Sequence, residues 1–573
     1  MTTAPVKNSD IADRLELLAD LLEIEGAQSY RVIAYRRAAS RIRETPAPVV
    51  DMALAGKARD LPGVGKTIEE KIVQIVEDGE IKALRDRRDR IPPELIAFLA
   101  VPGFGPKTVR RIWQELGITT VEDLRRAASE HRLRALTGLG PKTEESVLRY
   151  FAAEQAPPPA ERTLLGKALP AVRQLVAELG DSPDVDRISE AGSVRRRRET
   201  TRDIDLIATA PDPASLTARF VAHEAVAEVT AHGPTKAAVV WQNGLRFDLR
   251  VVPPESYGNL LQHFTGSKDH NVALREAAVR QGLSVSEYGI VVVETNEVVT
   301  AESEEEVYRR LGYDFIPPEL RENLGELEAA RNGALPGLVE VEHLRGDLHM
   351  HSTWSTDADD SLEEMARAAQ ARGYEYVAVT DHSHYLRDGR FAAQGEEIAA
   401  LNELLAPFRI LRGVEVNIAL DGSIDAMDED LAACDWVIAS LHRAFDSSPT
   451  ERVVAAMEHP RVNCIGHPTA RKIGRRAGAE LDLDRVISAA LETGTYLEMN
   501  SQPDRLDLRD VHARAAREAG LRLTISSDSH RIPELANVEF GVAQARRAWL
   551  TPADVLNTRP WREIEKLLRK KKH

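Results

Sequence analysis

At 573 residues, with 43% hydrophobic and 29% charged residues, the chain has room for about three or four domains, each with its own core. The polar start MTTAPVKNSD, the lack of any stretch of about 18 apolar residues, and only two cysteines (Cys434 and Cys464) argue against a secretion signal, a membrane span and a disulfide scaffold; a reducing, cytoplasmic setting is expected. The net charge of −16 is unevenly spread: residues 1–150 carry 25 Lys+Arg and 23 Asp+Glu (net +2), residues 151–340 carry 20 and 30 (net −10), and residues 341–573 carry 30 and 38 (net −8), so the first part can still bind phosphate locally.

Residues 9–45 read as two helices. Ile11, Leu15, Leu18 and Leu22 recur at helical spacing, and the second helix brings Arg36, Arg37, Arg41 and Arg43 near Tyr35. A pattern then occurs three times: LPGVGKTIEEKI from Leu61, VPGFGPKTVRRI from Val101 and LTGLGPKTEESV from Leu136. Each is an apolar residue, a turn, Gly-x-Gly, and an amphipathic helix opening with lysine. The glycines are Gly63 and Gly65, Gly103 and Gly105, Gly138 and Gly140. Glycines permit the tight turn, and the free N–H groups of the following helix attract a phosphate. One copy is weak evidence; three with matching flanks are hard to get by chance, and they resemble helix-hairpin-helix units, which implies a grip on DNA backbone without reading sequence. A Pro/Ala-rich linker, residues 152–161, ends this part.

A helix is expected over residues 164–179, then a turn and strand over GSVRRRRETTRDIDLIA, residues 192–208. Asp203 and Asp205, two apart on an extended segment, share one face. Paired carboxylates repel unless a divalent cation lies between them, and Mg²⁺ favours carboxylate and phosphate oxygens. Strands over residues 237–241 and 246–252 follow, the second carrying Asp248 with Arg246 and Arg250 on its face. A third carboxylate would complete a two-metal site, while a salt bridge to those arginines is the plainer account of Asp248 alone.

With the segment LLQHFTGSKDHNVALREAA, residues 260–278, the chain resembles the family X DNA polymerases over about residues 9–320, and its triple repeat resembles their helix-hairpin-helix units. The resemblance implies that Asp203 and Asp205 bind two Mg²⁺ (or Mn²⁺) ions and that Asp248 helps activate the primer 3′-hydroxyl. It assigns Gly192, Ser193 and Arg196 to the incoming triphosphate, Phe264 and Gly266 to the sugar, Asn271 to the base's minor-groove edge, and Arg275 to the template. His263-Phe264 stands where the family has Tyr-Phe, which leaves sugar selection open. Lys71 matches the family's Schiff-base lysine for 5′-deoxyribose phosphate removal, or is an ordinary DNA-facing lysine. Arg195, Arg197 and Arg198 offset nearby acids. The acidic residues 301–328 are expected to be solvated and to lead into a linker over residues 332–338.

From Arg345 apolar runs at residues 376–380, 410–416, 436–440, 464–466, 495–499 and 523–526 alternate with helical segments, the rhythm of repeated β/α units. The motifs GDLHMHS, TDHSH, GVEVN, SLH, GHP and SDSH close these runs. At strand C-termini of a parallel barrel such residues converge on one face. The candidates are His349, His351, Asp357, His382, Glu415, His442, His467, Asp528 and His530, a collection costly to bury without metals. Mixed His/Asp/Glu ligation suits Mn²⁺, Zn²⁺ or Fe²⁺. These motifs resemble the PHP domain, a distorted barrel of seven β/α units, which implies up to three divalent ions and metal-assisted phosphoester hydrolysis. Arg443 is a candidate phosphate contact or a surface cation.

The whole chain thus resembles the bacterial PolX proteins. The expected architecture is multidomain: an all-α helix-hairpin-helix region (residues 1–85 and 86–155), an α+β nucleotidyltransferase palm (156–255), a thumb (256–325), a linker (326–341) and an α/β PHP barrel (342–573). The expected function is gap filling on gapped or nicked DNA with dNTPs, joined to a 3′–5′ exonuclease, with 3′-phosphodiesterase or abasic-site endonuclease activity implied by the resemblance. The alternative is a phosphoesterase whose polymerase half only holds DNA. A monomer without membrane attachment, located in the cytoplasm and on the nucleoid when bound to DNA, is expected.

Overall fold

The computed structural model describes residues 8–571 apart from 46–48, 62, 89, 100, 102–103, 137, 153–161 and 183–184. The chain divides into two compact units, residues 1–161 and 162–573. Among the described residues no helix is long and apolar enough to cross a membrane.

The first unit is helical. Helices Asn8–Glu25 and Ser29–Glu44 bury Ile11, Leu15, Leu18 and Leu22 against Val32, Tyr35 and Ile42. Arg36 joins them through Asp20 and Glu23, both at 2.7 Å, and Arg43 through Glu16 at 2.8 Å. All three hairpin glycine turns run into helices: Gly65 caps Lys66–Asp78, Gly105 caps Pro106–Leu116, and Gly140 precedes Pro141–Ala152. Gly63 and Gly138 have φ of +88° and +89°, a left-handed backbone that strains any other L-residue. Among the described residues no atom would meet a Cβ at Gly63, Gly65, Gly105, Gly138 or Gly140 within 4 Å, so these residues leave room for an approaching backbone. Gly103 and all but the first residue of the expected linker at 152–161 lie outside the described residues.

In the second unit, helix Leu165–Gly180 lies over a five-stranded sheet of β1 (Arg187–Glu190), β2 (Ile204–Thr209), β3 (Val226–His232), β4 (Lys236–Trp241) and β5 (Arg246–Val251). The strand order is β1-β2-β5-β4-β3; only β2 and β5 pair in parallel. Alternation buries Phe247 and Leu249 while Asp248 and Arg250 face the other side. Helices Tyr257–Thr265 and Lys268–Val279 follow, then an antiparallel sheet of β6 (Leu283–Ser286), β7 (Gly289–Val292) and β8 (Glu297–Val299).

The acidic stretch at 301–328 is not a solvated tail. Ala301, Val307, Tyr308, Ile316 and Leu320 are buried in one core. Glu304 accepts from Arg195 at 2.6 Å and pairs with the buried Arg321. Glu326 accepts from His270 and from the amides of Asn323 and Leu324 at 2.6–2.8 Å. Buried acids need such partners, and arginines distant in sequence supply them, so composition read along the chain misjudged this segment. The expected linker at 332–338 likewise ends in the buried pair Leu338 and Val339.

The last part is a seven-stranded parallel sheet in chain order: β9 (Gly346–Met350), β10 (Tyr376–Val379), β11 (Arg409–Asn417), β12 (Trp436–Ser440), β13 (Cys464–Gly466), β14 (Tyr496–Asn500) and β15 (Leu523–Ser526). A parallel bridge from Met350 to Ser529 draws the first and last strands together. Cys434 and Cys464 are both buried here.

Palm and barrel meet through a buried chain of charge. Arg547, on helix Val538–Arg547, pairs with Asp510 at 2.7 Å and with Glu322 at 2.9 Å, and donates to the Arg196 carbonyl at 2.8 Å. Arg196 itself pairs with Glu322 at 3.0 Å, and Gln544 donates to the Arg197 carbonyl at 2.9 Å. Arg471 reaches Glu199 at 2.8 Å. Burial alone would push the Glu322 carboxyl up, but Arg547, Arg196 and Arg198 bring it down to about 2. Two predictions follow from this chain. Arg547→Met takes the ion-pair partner from the buried Asp510 and one of the arginines from Glu322, and should cost about 3–5 kcal/mol, read as a lower urea midpoint for the second unit. A depressed carboxyl stabilises above its ordinary value of 4.5 and loses that contribution as pH falls towards 2; Glu322→Gln should flatten the acid limb of midpoint against pH.

Candidate functional site: two acidic and imidazole centres

The first centre forms where β2 and β5 pair in parallel, which sets Asp205 directly beside Asp248, with Asp203 two residues before Asp205. Burial, then Asp248 and Asp203, push the Asp205 carboxyl up to about 6, and burial also raises Asp248. Of the two arginines whose salt bridge was the alternative account of Asp248, Arg250 lies over the Phe264 ring, 4.5 Å from its centroid. Asp205 and Asp248 are register partners and Asp203 lies in the bend just before the strand; the three do not gather within 4.8 Å of one another, as the groups of the second centre do. Their mutual repulsion and the weak local compensation fit a site for divalent cations.

Gly192 opens the turn above them with φ +62°, and a Cβ there would lie 2.4 Å from an Asp205 oxygen. Only glycine brings backbone that close to the carboxylates. Ser193 shares a hydrogen bond with Thr201 at 2.7 Å. Arg196 faces inward, donating to the Thr265 carbonyl at 2.9 Å and to Glu322. Arg195 and Arg197 are held by Glu304 and Glu190, both at 2.6 Å, as expected for charges that offset nearby acids.

On the neighbouring helices Asn271 is buried, donating to the His263 carbonyl at 2.6 Å and accepting from Gln262 at 3.1 Å. A Cβ on Gly266 would strike the Asn271 amide at 2.4 Å. His263 and Phe264 stand side by side, 5.4 Å between ring centroids, and burial lowers the His263 imidazole. Arg275 is exposed. In the first unit Lys71 lies 6.0 Å from the Tyr35 ring, and burial followed by the Arg87 charge holds its amine below the usual lysine range.

The second centre stands at the C-terminal ends of the barrel strands, around the buried Glu415 of β11. Glu415 faces His382 at 2.8 Å, His467 at 3.2 Å, His442 at 3.4 Å, His349 at 3.7 Å and His351 at 3.8 Å. Asp528 faces His351 at 3.3 Å and His349 at 3.5 Å. Asp357, from the loop after β9, faces His382 at 3.4 Å and His530 at 3.7 Å. Three overlapping groups could each hold an ion: His351, His382 and His530; His349, His351 and Glu415; His382, Glu415 and His442. Buried ring nitrogens of His349, His351, His382 and His467, and one Glu415 oxygen, lack hydrogen-bond partners. Such orphaned donor atoms in one place are what divalent ions would satisfy. His467 and Asp528 adopt left-handed backbone, φ 29° and 53°, and a Cβ on Gly466 would lie 2.5 Å from Ser440 Oγ.

An outer layer missed in the sequence orients these groups. Glu498 accepts from His349 Nδ1 and from the His467 amide, both at 2.7 Å. Asn417 meets His442 Nδ1 at 2.6 Å and is itself held by Asp425 at 2.7 Å. Asn500 donates to Asp528 at 2.9 Å. Such partners fix tautomer and ring direction. Glu498 and Asn417 sit inside strand-end runs, the same signal that picked out Glu415. Arg443 is exposed, and its carbonyl accepts from Arg452.

Comparison with known proteins adds to this geometry. The family models described as helix-hairpin-helix domain and SAM-like helix-hairpin-helix tandem match residues 6–81 and 95–152, DNA polymerase beta thumb matches residues 260–322, and PHP domain matches residues 347–502. The chain is 38% identical over 572 residues to the DNA polymerase/3′-5′ exonuclease PolX of Bacillus subtilis (strain 168), covering 98% of this chain and 99% of that protein. It is 27% identical over 344 residues to DNA polymerase lambda of Rattus norvegicus, covering 55% of this chain and 56% of that one. A probable phosphatase of Acetivibrio thermocellus is 31% identical over 195 residues, covering 32% of this chain and 78% of its own length. With the likeness running from end to end and the thumb and PHP models matched in the same order, the chain belongs to the PolX family, the bacterial family X DNA polymerases that carry a PHP domain.

Proposed function

We propose that this protein fills short gaps in duplex DNA by templated addition of dNTPs and trims 3′ ends at its barrel. The observation that carries the reading is the register of Asp205 beside Asp248 under the Gly192 turn, in a chain similar throughout to a DNA polymerase/3′-5′ exonuclease.

At the palm, Asp203, Asp205 and Asp248 would hold two Mg²⁺ or Mn²⁺ ions, which when bound would supply positive charge to the primer hydroxyl and the triphosphate. Asp248, beside the primer end, helps draw the proton from the 3′-hydroxyl. Gly192 and Ser193 receive the triphosphate, and Arg196 reaches it by exchanging Glu322 for phosphate. Phe264 and Gly266 line the sugar, Asn271 meets the base, and Arg275 lies along the template. The hairpin turns at Gly63/Gly65, Gly103/Gly105 and Gly138/Gly140 hold the duplex by its phosphates. Lys71 attacks the aldehyde of a 5′-deoxyribose phosphate, its lowered amine suited to imine formation with loss of water.

At the barrel, His349, His351, Asp357, His382, Glu415, His442, His467, Asp528 and His530 hold up to three Mn²⁺, Zn²⁺ or Fe²⁺ ions, which when bound would acidify water and neutralise phosphate charge. Glu498 and Asn417 keep the imidazoles of His349 and His442 aimed inward.

Three outcomes are expected. On a duplex with a one-nucleotide gap, Asp205→Ala should lose nucleotide addition at least about 10²-fold while still shortening 3′ ends; the His349→Ala/His351→Ala variant should show the converse. A double variant that adds no nucleotide would favour the reading in which the polymerase half only holds DNA. Glu498→Gln should weaken metal binding or exonuclease rate about 10–100-fold, measured by Mn²⁺ titration after chelation, with gap filling unaltered. Borohydride trapping on an incised abasic duplex should give a covalent adduct with the wild type and none with Lys71→Ala.

A further inference from the structure

A cleft of about 600 Å³ opens beside the second centre, between the barrel and the first turn of the palm helix Leu165–Gly180. Asp357, Asp528 and His530 of the metal-binding candidates line it, together with Arg505, Lys472 and Lys167. Lys472 is already matched by Asp504 at 2.7 Å, and Arg531 at the rim by Glu534 at 2.8 Å. Arg505 is different. Its side chain is only 14% exposed, its Nη1 is buried without a hydrogen-bond partner, and its nearest carboxylate, Asp528, is 4.0 Å away. That Asp528 oxygen already accepts from Asn500, while the other faces His349 and His351. Lys167 is exposed on the opposite wall, and no carboxylate lies within 4.0 Å of it among the described residues.

A buried guanidinium with an unmet N–H is costly unless an anion completes it. In a cleft of this volume beside a cluster of candidate metal ligands, the matching anion is a phosphodiester, which a guanidinium can grip with two parallel N–H groups. We propose that Arg505 binds the scissile phosphodiester of a single-stranded 3′ end and that Lys167 binds the adjoining phosphate, so that the palm helix forms one wall of the hydrolytic substrate track. This rests on the reading of the barrel as a DNA exonuclease. In that reaction a water oxygen bonds to phosphorus, the bond from phosphorus to the 3′-oxygen of the preceding nucleotide breaks, and that oxygen leaves with a proton. A nucleoside 5′-monophosphate departs. Arg505 supplies a fixed cation where the phosphoryl oxygens gain charge, and Lys167 distinguishes a polymer from a small ester.

The test uses the full chain with Mn²⁺ and two substrates, a 3′-overhang oligonucleotide and thymidine 5′-(p-nitrophenyl phosphate), with metal content measured for every variant. Arg505→Gln should lower kcat/KM about 10²-fold on both substrates while retaining wild-type metal content, and Arg505→Lys should recover part of the loss. Lys167→Ala should raise KM about five- to tenfold more for the overhang than for the small ester, as loss of one phosphate contact would. The proposal is overturned if Arg505→Gln stays within threefold of wild type, if it loses metal, or if Lys167→Ala affects both substrates alike. His349→Ala separates the two levels: activity retained there sinks the exonuclease reading itself, whereas a dead His349→Ala beside an unchanged Arg505→Gln sinks only the assignment of Arg505.

Discussion

Glu322 is the point on which the second unit depends. One carboxylate at the end of the thumb is gripped by Arg196 from the Gly192 turn and by Arg547 from the barrel's helix Val538–Arg547. Three parts of the chain, more than a hundred residues apart in sequence, share this buried charge. Burial alone would favour the neutral carboxyl, and the arginines around Glu322 keep it ionised. The same chain fixes the height of the Gly192 turn over Asp205, because Arg547 also holds the Arg196 carbonyl.

The two chemical centres obey one rule in different ways. At the palm, strand register brings Asp205 and Asp248 together and leaves their repulsion uncompensated, which shows in the raised Asp205 carboxyl. At the barrel, imidazoles surround Glu415 and Asp528 closely enough to hold both carboxyls well below their usual range against the penalty of burial. A carboxylate-only site and a mixed site differ in the cations that suit them, hard Mg²⁺ against the borderline transition ions.

Much of this was legible in the sequence because the signals were short and repeated. Period-2 patterning placed Asp203 and Asp205 on one face, and strand-end motifs gathered the nine barrel candidates before any coordinates. What the sequence hid were pairings between distant residues. The acids at 301–328 read as a solvated run because their partners, Arg195, His270 and Arg547, lie far along the chain or in another domain. The offsetting of acids by Arg195 and Arg197 was legible as charge balance, but not that the acids would be Glu304 and Glu190, one of them a hundred residues on. Glu498 escaped notice for a simpler reason: it bonds ligands from behind, and nothing in LEMNS tells an outer carboxylate from an inner one.

The close seating of Gly166 against Pro503, where a Cβ would come within 2.3 Å of the proline ring, bears on how this protein could have been assembled. A fusion of two independent enzymes would tolerate varied linkers and loosely facing surfaces. Here the palm carries a glycine shaped to the barrel loop, and the barrel carries an arginine that completes the palm. The seam is thus close-packed at Gly166 and charge-paired at Arg547, so a change on one side calls for a matching change on the other.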